Sequence, residues 1–282
     1  MRSAPARRDA LRLLAASLAM SATPAAAIPQ RPAEPPLTFG VFPFLPALEI
    51  GRRFGPVSSA LAEMLGRPVA LQTKTDFEAF RRFLLDGRYD LAFLHPFLYA
   101  DAASAQDYRP LGRIREDLAA FIVARKEERC ASFRDLCGRV LALPPKLSGV
   151  AQLAFHELEE QRLLGPGDVQ VEYHRTKSSC IHAVISGSAA ACALPGFVLS
   201  QLKAFAPIEL EPKFQTRAVP GLLLAAHGRL GEPMLDQLRD LVIGLERVPA
   251  GQSLLAGFGW TGFVPAPPAQ YDITHLRGLV GG

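Results

Sequence analysis

The sequence lacks the motifs that would announce most enzymes. It has no G-x-S-x-G elbow, no H-E-x-x-H helix and no C-x-x-C-H run, which removes serine-hydrolase, zinc-peptidase and haem-attachment chemistry in their usual forms. Beyond the N-terminal segment no stretch is long and apolar enough to span a bilayer. Low-complexity blocks and solenoid repeats are missing as well. Charge is nearly balanced, with 31 Lys and Arg against 27 Asp and Glu. Four of those arginines, with one aspartate, fall in the first 27 residues, so the net charge of +4 drops to +4 − 3 = +1 without them. That balance gives no case for a nucleic-acid partner.

What is present at the N-terminus has the order of a secretory signal peptide. Arg2, Arg7, Arg8 and Arg12 precede the apolar run Leu11 to Met20, and Ala25-Ala26-Ala27 supplies a small-residue cleavage site. Arg7-Arg8-Asp9-Ala10-Leu11-Arg12 also resembles a twin-arginine export signal. Residues 1–27 are therefore expected to direct export to the periplasm, and residues 28–36 to form a stiff, Pro-rich lead-in. In an exported chain the four cysteines, Cys130, Cys137, Cys180 and Cys192, read first as disulfides, paired locally as 130–137 and 180–192. Four cysteines allow three connectivities. A metal site is the alternative, although the spacings match no zinc pattern.

The rest alternates strand and helix. Leu37 to Phe42 reads as a buried strand, Ile50 to Leu65 as a helix closed by Gly66, and Pro68 to Gln72 as a second strand. Asp76 can cap a helix from Phe77 to Leu85. The sequence Tyr89 to Ala100, Y-D-L-A-F-L-H-P-F-L-Y-A, is the pivot: Leu91 to Leu94 suits a strand buried on both faces, and Pro96 suits the first turn of a helix. Such a corner places helix N–H groups beyond the carboxyl end of the strand, where open α/β sheets bind ligands and helix dipoles favour anions. The apolar run Leu118 to Ala124 follows. A second series of the same type then fills about 125–215, with a short capped helix after Ser132, a strand at Arg139 to Leu143 and a helix from Ala151 to Leu164. It continues with a strand at Val169 to Tyr173, a helix at Cys180 to Ile185 and a strand at Ala189 to Leu194. Val219 to Ala226 is a late strand and Pro233 to Leu245 a late helix. The expected fold is α/β with two lobes and a ligand cleft between them.

Several landmarks, taken in order, carry a family resemblance: L-T-F-G-V-F-P-F at the first strand, L-G-R-P-V with T-D-F-E-A-F, and L-L-D-G-R-Y-D-L-A-F-L-H-P. S-G-V-A-Q, A-V-I-S-G, V-P-A-G-Q-S-L-L-A-G-F-G-W-T-G-F-V-P and a closing Y-D complete the series. Over about Leu37 to Asp272 the chain resembles the type II periplasmic binding proteins that serve phosphonate, phosphite and phosphate ABC transporters. The resemblance implies two lobes joined by a two-strand hinge, here 37–123 with 219–282 and 124–218, and an oxyanion held by helix N-termini. It implies no cofactor and no enzymatic activity.

By resemblance the ligand-binding positions are Phe77, where a tyrosine is usual, His95, Tyr99, Lys146, Ser148, Gly149, Lys177, Ser178 and Ser179. Lys146-Leu147-Ser148-Gly149 stands where a Ser-Thr-Ser-Gly turn is usual, and Lys177 where a histidine is. These changes exchange neutral donors for cations at two helix N-termini, which favours an anion. The same residues also have ordinary uses: lysines that snorkel to the rim, serines that cap helices, Phe77 and Tyr99 as core, His95 donating to a carbonyl. Trp260 is expected to pack under the C-terminal turn. The partners implied are a small oxyanion and the permease of an ABC transporter. The alternative is a periplasmic sensing subunit for a two-component histidine kinase, which an unpaired Cys180 or Cys192 beside the cleft would favour.

Overall fold

A computed structural model describes residues 34–205 and 208–271. The leader, most of the Pro-rich lead-in and the tail from residue 272 lie outside that range. From Pro35 onward the chain first lays down β1 (Leu37–Val41), α1 (Ala47–Leu65), β2 (Val69–Gln72), α2 (Phe77–Leu85), β3 (Leu91–Leu94), α3 (Pro96–Ala105) and β4 (Tyr108–Ile114). It then crosses to a second series: β5 (Ala120–Arg125), a 3-10 turn at Phe133–Leu136, β6 (Val140–Leu143), α4 (Gly149–Glu160), β7 (Gln170–Tyr173), α5 (Lys177–Ser186) and β8 (Ala191–Pro195). A 3-10 segment, Gly196–Phe205, leads to β9 (Leu210–Gln215). The chain returns with β10 (Leu223–His227), α6 (Glu232–Gly244), α7 (Pro249–Phe258) and β11 (Phe263–Val264).

Two sheets result, ordered β11-β4-β10-β3-β1-β2 and β7-β6-β8-β5-β9. β2-β1-β3 and β7-β6-β8 are parallel blocks, and the strands added beyond β3 and β8 run antiparallel to their neighbours. β3 is buried at all four residues because helices cover both faces of its sheet. In the second sheet Leu141 and Leu143 of β6 pack toward α4 with Val150 and Leu158, while Ala142 between them turns toward α5 with Val184. That is the period-two alternation of a strand with helices on both sides.

Strand β5 belongs to the second sheet, so the first crossing falls at 115–119 and not at the expected 123/124 boundary. The return crossing falls between β9 and β10. The two crossings are zipped together: Leu118 and Val219 exchange both backbone hydrogen bonds, at 2.8 and 2.9 Å. Thr216 and Ala120 add two more, one through the Thr216 hydroxyl, each 2.9 Å.

The cysteine expectation is corrected. All four are free thiols. Cys130 is buried with Phe133 and Leu136, whereas Cys137 ends the 3-10 turn on the exposed side. Cys180 of α5 and Cys192 of β8 fill the layer between helix and sheet as small apolar side chains. Burial pushes the Cys180 thiol up to about 12 and raises Cys192 as well.

Candidate ligand-binding site

The parallel strands of both blocks run into helices or turns at their carboxyl ends, and the residues just past those ends line one cleft of about 1130 Å³. Phe42 and Phe44 follow β1, Lys74, Thr75 and Phe77 follow β2, and His95 follows β3. From the second sheet come Ser148 and Gly149 after β6, Arg175 to Ser178 after β7, and Phe197 after β8. This is the edge at which α/β sheets bind ligands, contributed twice.

Capping fixes the helix starts there. Asp76 accepts from the Ala79 N–H at 2.7 Å, Ser148 from Ala151 at 3.3 Å and Thr176 from Ser179 at 3.0 Å. Each cap satisfies one N–H of its first turn and leaves the earlier ones, including those of Gly149, Lys177 and Ser178, outside the helix ladder. α5 begins at Lys177 rather than at Cys180 because Thr176 and Ser179 form a reciprocal capping box. Ser179 is spent on that box, since its hydroxyl also donates to the Thr176 carbonyl at 2.8 Å.

Lys177 reaches across the cleft. Its Nζ donates to the Phe44 carbonyl and lies 5.4 Å from the Phe197 ring centre and 5.8 Å from that of Phe44. Burial draws its pKa down to about 8. Lys74 stacks over Phe83 at 3.4 Å. Neither lysine has a carboxylate partner among the described residues. Arg53 and Arg175 bring the lining cations to four, against the two carboxylates of Glu116 and Asp117. Those acids are engaged elsewhere: Glu116 accepts from Thr261, and Asp117 pairs with Arg113 at 2.9 Å.

His95 is 1% exposed and committed on both nitrogens. Nδ1 accepts from the Leu98 N–H at 3.4 Å, capping α3, and Nε2 lies 3.0 Å from the Leu147 carbonyl, which assigns the ring proton to Nε2. Leu147 belongs to the second sheet's β6–α4 loop, so the ring bridges the two halves. Burial drops its pKa to about 3, against the opposing effect of that donation, and it is neutral at ordinary pH. Gly149 permits the approach: a Cβ there would meet Leu118 Cδ2 at 2.8 Å and His95 Cγ at 3.3 Å.

Phe77, His95, Ser148, Gly149, Lys177 and Ser178 are thus brought to one cleft. Tyr99, Lys146 and Ser179 are not part of its lining. Tyr99 is buried edge-on to Tyr271, centroids 5.3 Å apart, beside a separate cavity, and Lys146 is exposed. The sequence reading missed the aromatic wall. Phe42 and Phe44 stack at 4.6 Å, Phe197 meets Phe44 edge-on at 5.8 Å, and Phe121 joins them at the lining. Trp260 also lines the cleft while stacking on Phe258 at 4.3 Å. The run F-P-F immediately after β1 carried the signal, because the residues past a strand's carboxyl end face the ligand edge.

Two sheets of matching layout, two zipped crossings and a cleft at both carboxyl edges define a type II periplasmic binding protein. Residues 39–271 match the family described as "ABC transporter, phosphonate, periplasmic substrate-binding protein", and the chain belongs to that family. Its work is solute capture for transport in the periplasm and not catalysis. Solved structures agree on the fold. PhnD1 from Prochlorococcus marinus (MIT 9301), in complex with methylphosphonate, is 17% identical with a TM-score of 0.75, covering 86% of this chain and 97% of that one. A binding protein component of an ABC phosphonate transporter from Pseudomonas aeruginosa gives 13% identity and a TM-score of 0.71 over 86% and 85%. XAC2383 from Xanthomonas citri, bound to ATP, gives 17% and 0.68 over 86% and 94%.

Proposed function

We propose that the cleft captures a small oxyanion of the phosphonate, phosphite or phosphate type and that the closed protein delivers it to an ABC permease. The observation that carries this reading is Lys177, a half-buried ammonium at a helix N-terminus with no carboxylate partner among the described residues. A partly desolvated cation without a counter-ion is costly, and an incoming anion offsets that cost. The N-termini of α4 and α5 add partial positive charge at the same place. Relatives solved with methylphosphonate, ATP and chloride ion all hold anions, which supports the same chemistry here. In this reading Ser178 and the Gly149 N–H donate to the oxyanion, Phe77 walls it, and His95 ties the two halves together. Residues 1–27 act as the export leader, twin-arginine in type, and the exported chain is a monomer. No observation favours the sensor alternative: Cys180 and Cys192 are buried under α5 with thiols pushed toward the protonated form.

The test is calorimetry with methylphosphonate, phosphite, phosphate and a neutral alcohol. At least one oxyanion should bind and the alcohol should not. Binding of the alcohol alone would overturn the anion reading.

A further inference from the structure

The cleft has two chemically distinct parts that touch at Lys177. One is cationic: Lys177, the N-termini of α4 and α5, and the net excess of lining cations. The other is an aromatic wall drawn from both halves, with Phe42, Phe44 and Phe77 on one side and Phe121 and Phe197 on the other. Phe42 lies 6.0 Å from Phe77 and 4.6 Å from Phe44, so the first three form one continuous surface. Phe121 and Phe197 remain half-buried. The ammonium sits within 5.8 Å of two of these rings. An oxyanion on Lys177 therefore has whatever it carries placed directly against the wall.

Size points the same way. A volume of about 1130 Å³ lies just above the roughly 300–1,000 Å³ of sites that take drug-sized ligands. A bare tetrahedral ion would fill the cationic part and leave the open faces of Phe121 and Phe197 uncovered. Aromatic walls are worth building where a flat apolar group is buried against them.

We infer that the ligand is an oxyanion carrying an aromatic or comparably flat apolar body, such as an aryl phosphonate or aryl sulfonate, rather than a bare phosphate or a methyl-sized phosphonate. This rests on the reading of the cleft as an oxyanion site. The head group bonds Lys177 and the α4 and α5 N-termini, and the body packs on the open faces of the half-buried Phe121 and Phe197. Trp260 is the only tryptophan of the chain and lines the same cleft, so its emission reports filling of the cleft directly.

The experiment titrates the purified protein with phenylphosphonate, methylphosphonate, inorganic phosphate and benzyl alcohol, followed by calorimetry and Trp260 fluorescence. Burying a phenyl group like a Phe side chain should make phenylphosphonate bind roughly 10- to 150-fold tighter than methylphosphonate. Phe197→Ala should narrow that ratio by about 2- to 12-fold, and Phe121→Ala provides the same readout if the first variant folds poorly. Methylphosphonate or phosphate binding as tightly as phenylphosphonate would overturn the aromatic-body inference and leave the oxyanion reading standing. Benzyl alcohol matching phenylphosphonate would overturn the oxyanion reading and with it the head-group assignment. If none of the four binds, both are wrong.

Discussion

Replacing Lys177 by Met should move stability and affinity in opposite directions. The amine's pKa falls from 10.5 to about 8 in the folded chain because burial penalises the ammonium. That displacement corresponds to about 3 kcal/mol of cost to the fold at neutral pH. Methionine fills similar space without charge but gives up the hydrogen bond to the Phe44 carbonyl, worth about 1 kcal/mol. The Lys177→Met protein should therefore unfold at equal or higher denaturant, by up to about 2 kcal/mol. Its affinity for phenylphosphonate should fall roughly 10- to 150-fold, the equivalent of about 1.5–3 kcal/mol for a charged hydrogen bond. The pH dependence has a definite sign. Between pH 8 and 10.5 the unfolded chain binds the proton and the folded chain does not, so wild-type stability rises with pH across that window and the variant lacks the rise. Urea titrations at several pH values, paired with calorimetry, test both halves. A variant that loses stability yet keeps its affinity would show that the amine serves the fold and not the ligand.

His95 has the complementary signature in acid: its pKa falls from 6.5 to about 3, so stability should drop as pH falls below 6.5, by about 2 kcal/mol near pH 5. His95→Gln should flatten that slope in denaturant melts, and an unchanged slope would assign it to other groups. Thiol titration of the reduced protein should count four cysteines in denaturant and only Cys137 promptly in the native state, since the other three are buried. Fast reaction of Cys180 would reopen the sensing alternative. Gly40→Ala should cost about 1–3 kcal/mol by overpacking, because its Cβ would meet Tyr89 ring atoms at 2.7 to 2.8 Å. Ligand affinity of the folded fraction should stay the same, and a change would mean that the strand floor couples to the cleft.

The parallel strands were legible because each is a short apolar run closed by a cap or a proline, and the physics that ends them also places them. β4 and β9 were not. Tyr108–Ile114 reads Y-R-P-L-G-R-I and Leu210–Gln215 reads L-E-P-K-F-Q, charged and proline-bearing segments that argue against a strand. In both, the proline sits at a register shift: Pro110 pairs with Ala225 where the ladder with β10 slips, and Pro212 pairs with Val123 where the ladder with β5 slips. A bulge disrupts the ladder locally and so accommodates a residue with no N–H to give. Each sheet therefore contains a strand that local propensity denies and tertiary pairing supplies. The same gap displaced the lobe boundary: with β4 unread, the apolar run at 118–124 looked like the end of the first lobe when it begins the second.

The site divides along a similar line. Where a residue's role depends on its own helix, the sequence was enough: Ser148 at the start of α4 and Lys177 at the start of α5 reach the cleft because capping residues are local. Where the role depends on which neighbour consumes the polar atoms, it was not. The sequence left His95 open between a ligand and a carbonyl, and it is the Leu147 carbonyl, fifty-two positions away in sequence, that accepts its N–H. Ser178 and Ser179 are adjacent and alike, but Thr176 takes only the second. Lys146 and Lys177 both stood at helix entrances; Lys146 is exposed, and only Lys177, whose side chain crosses to Phe44, is drawn out of full contact with solvent. The partner that buries Lys177 is a backbone carbonyl, which satisfies geometry but not charge. That imbalance is what the proposed anion site rests on, and it follows from the packing of Phe44 and Phe197 around one lysine.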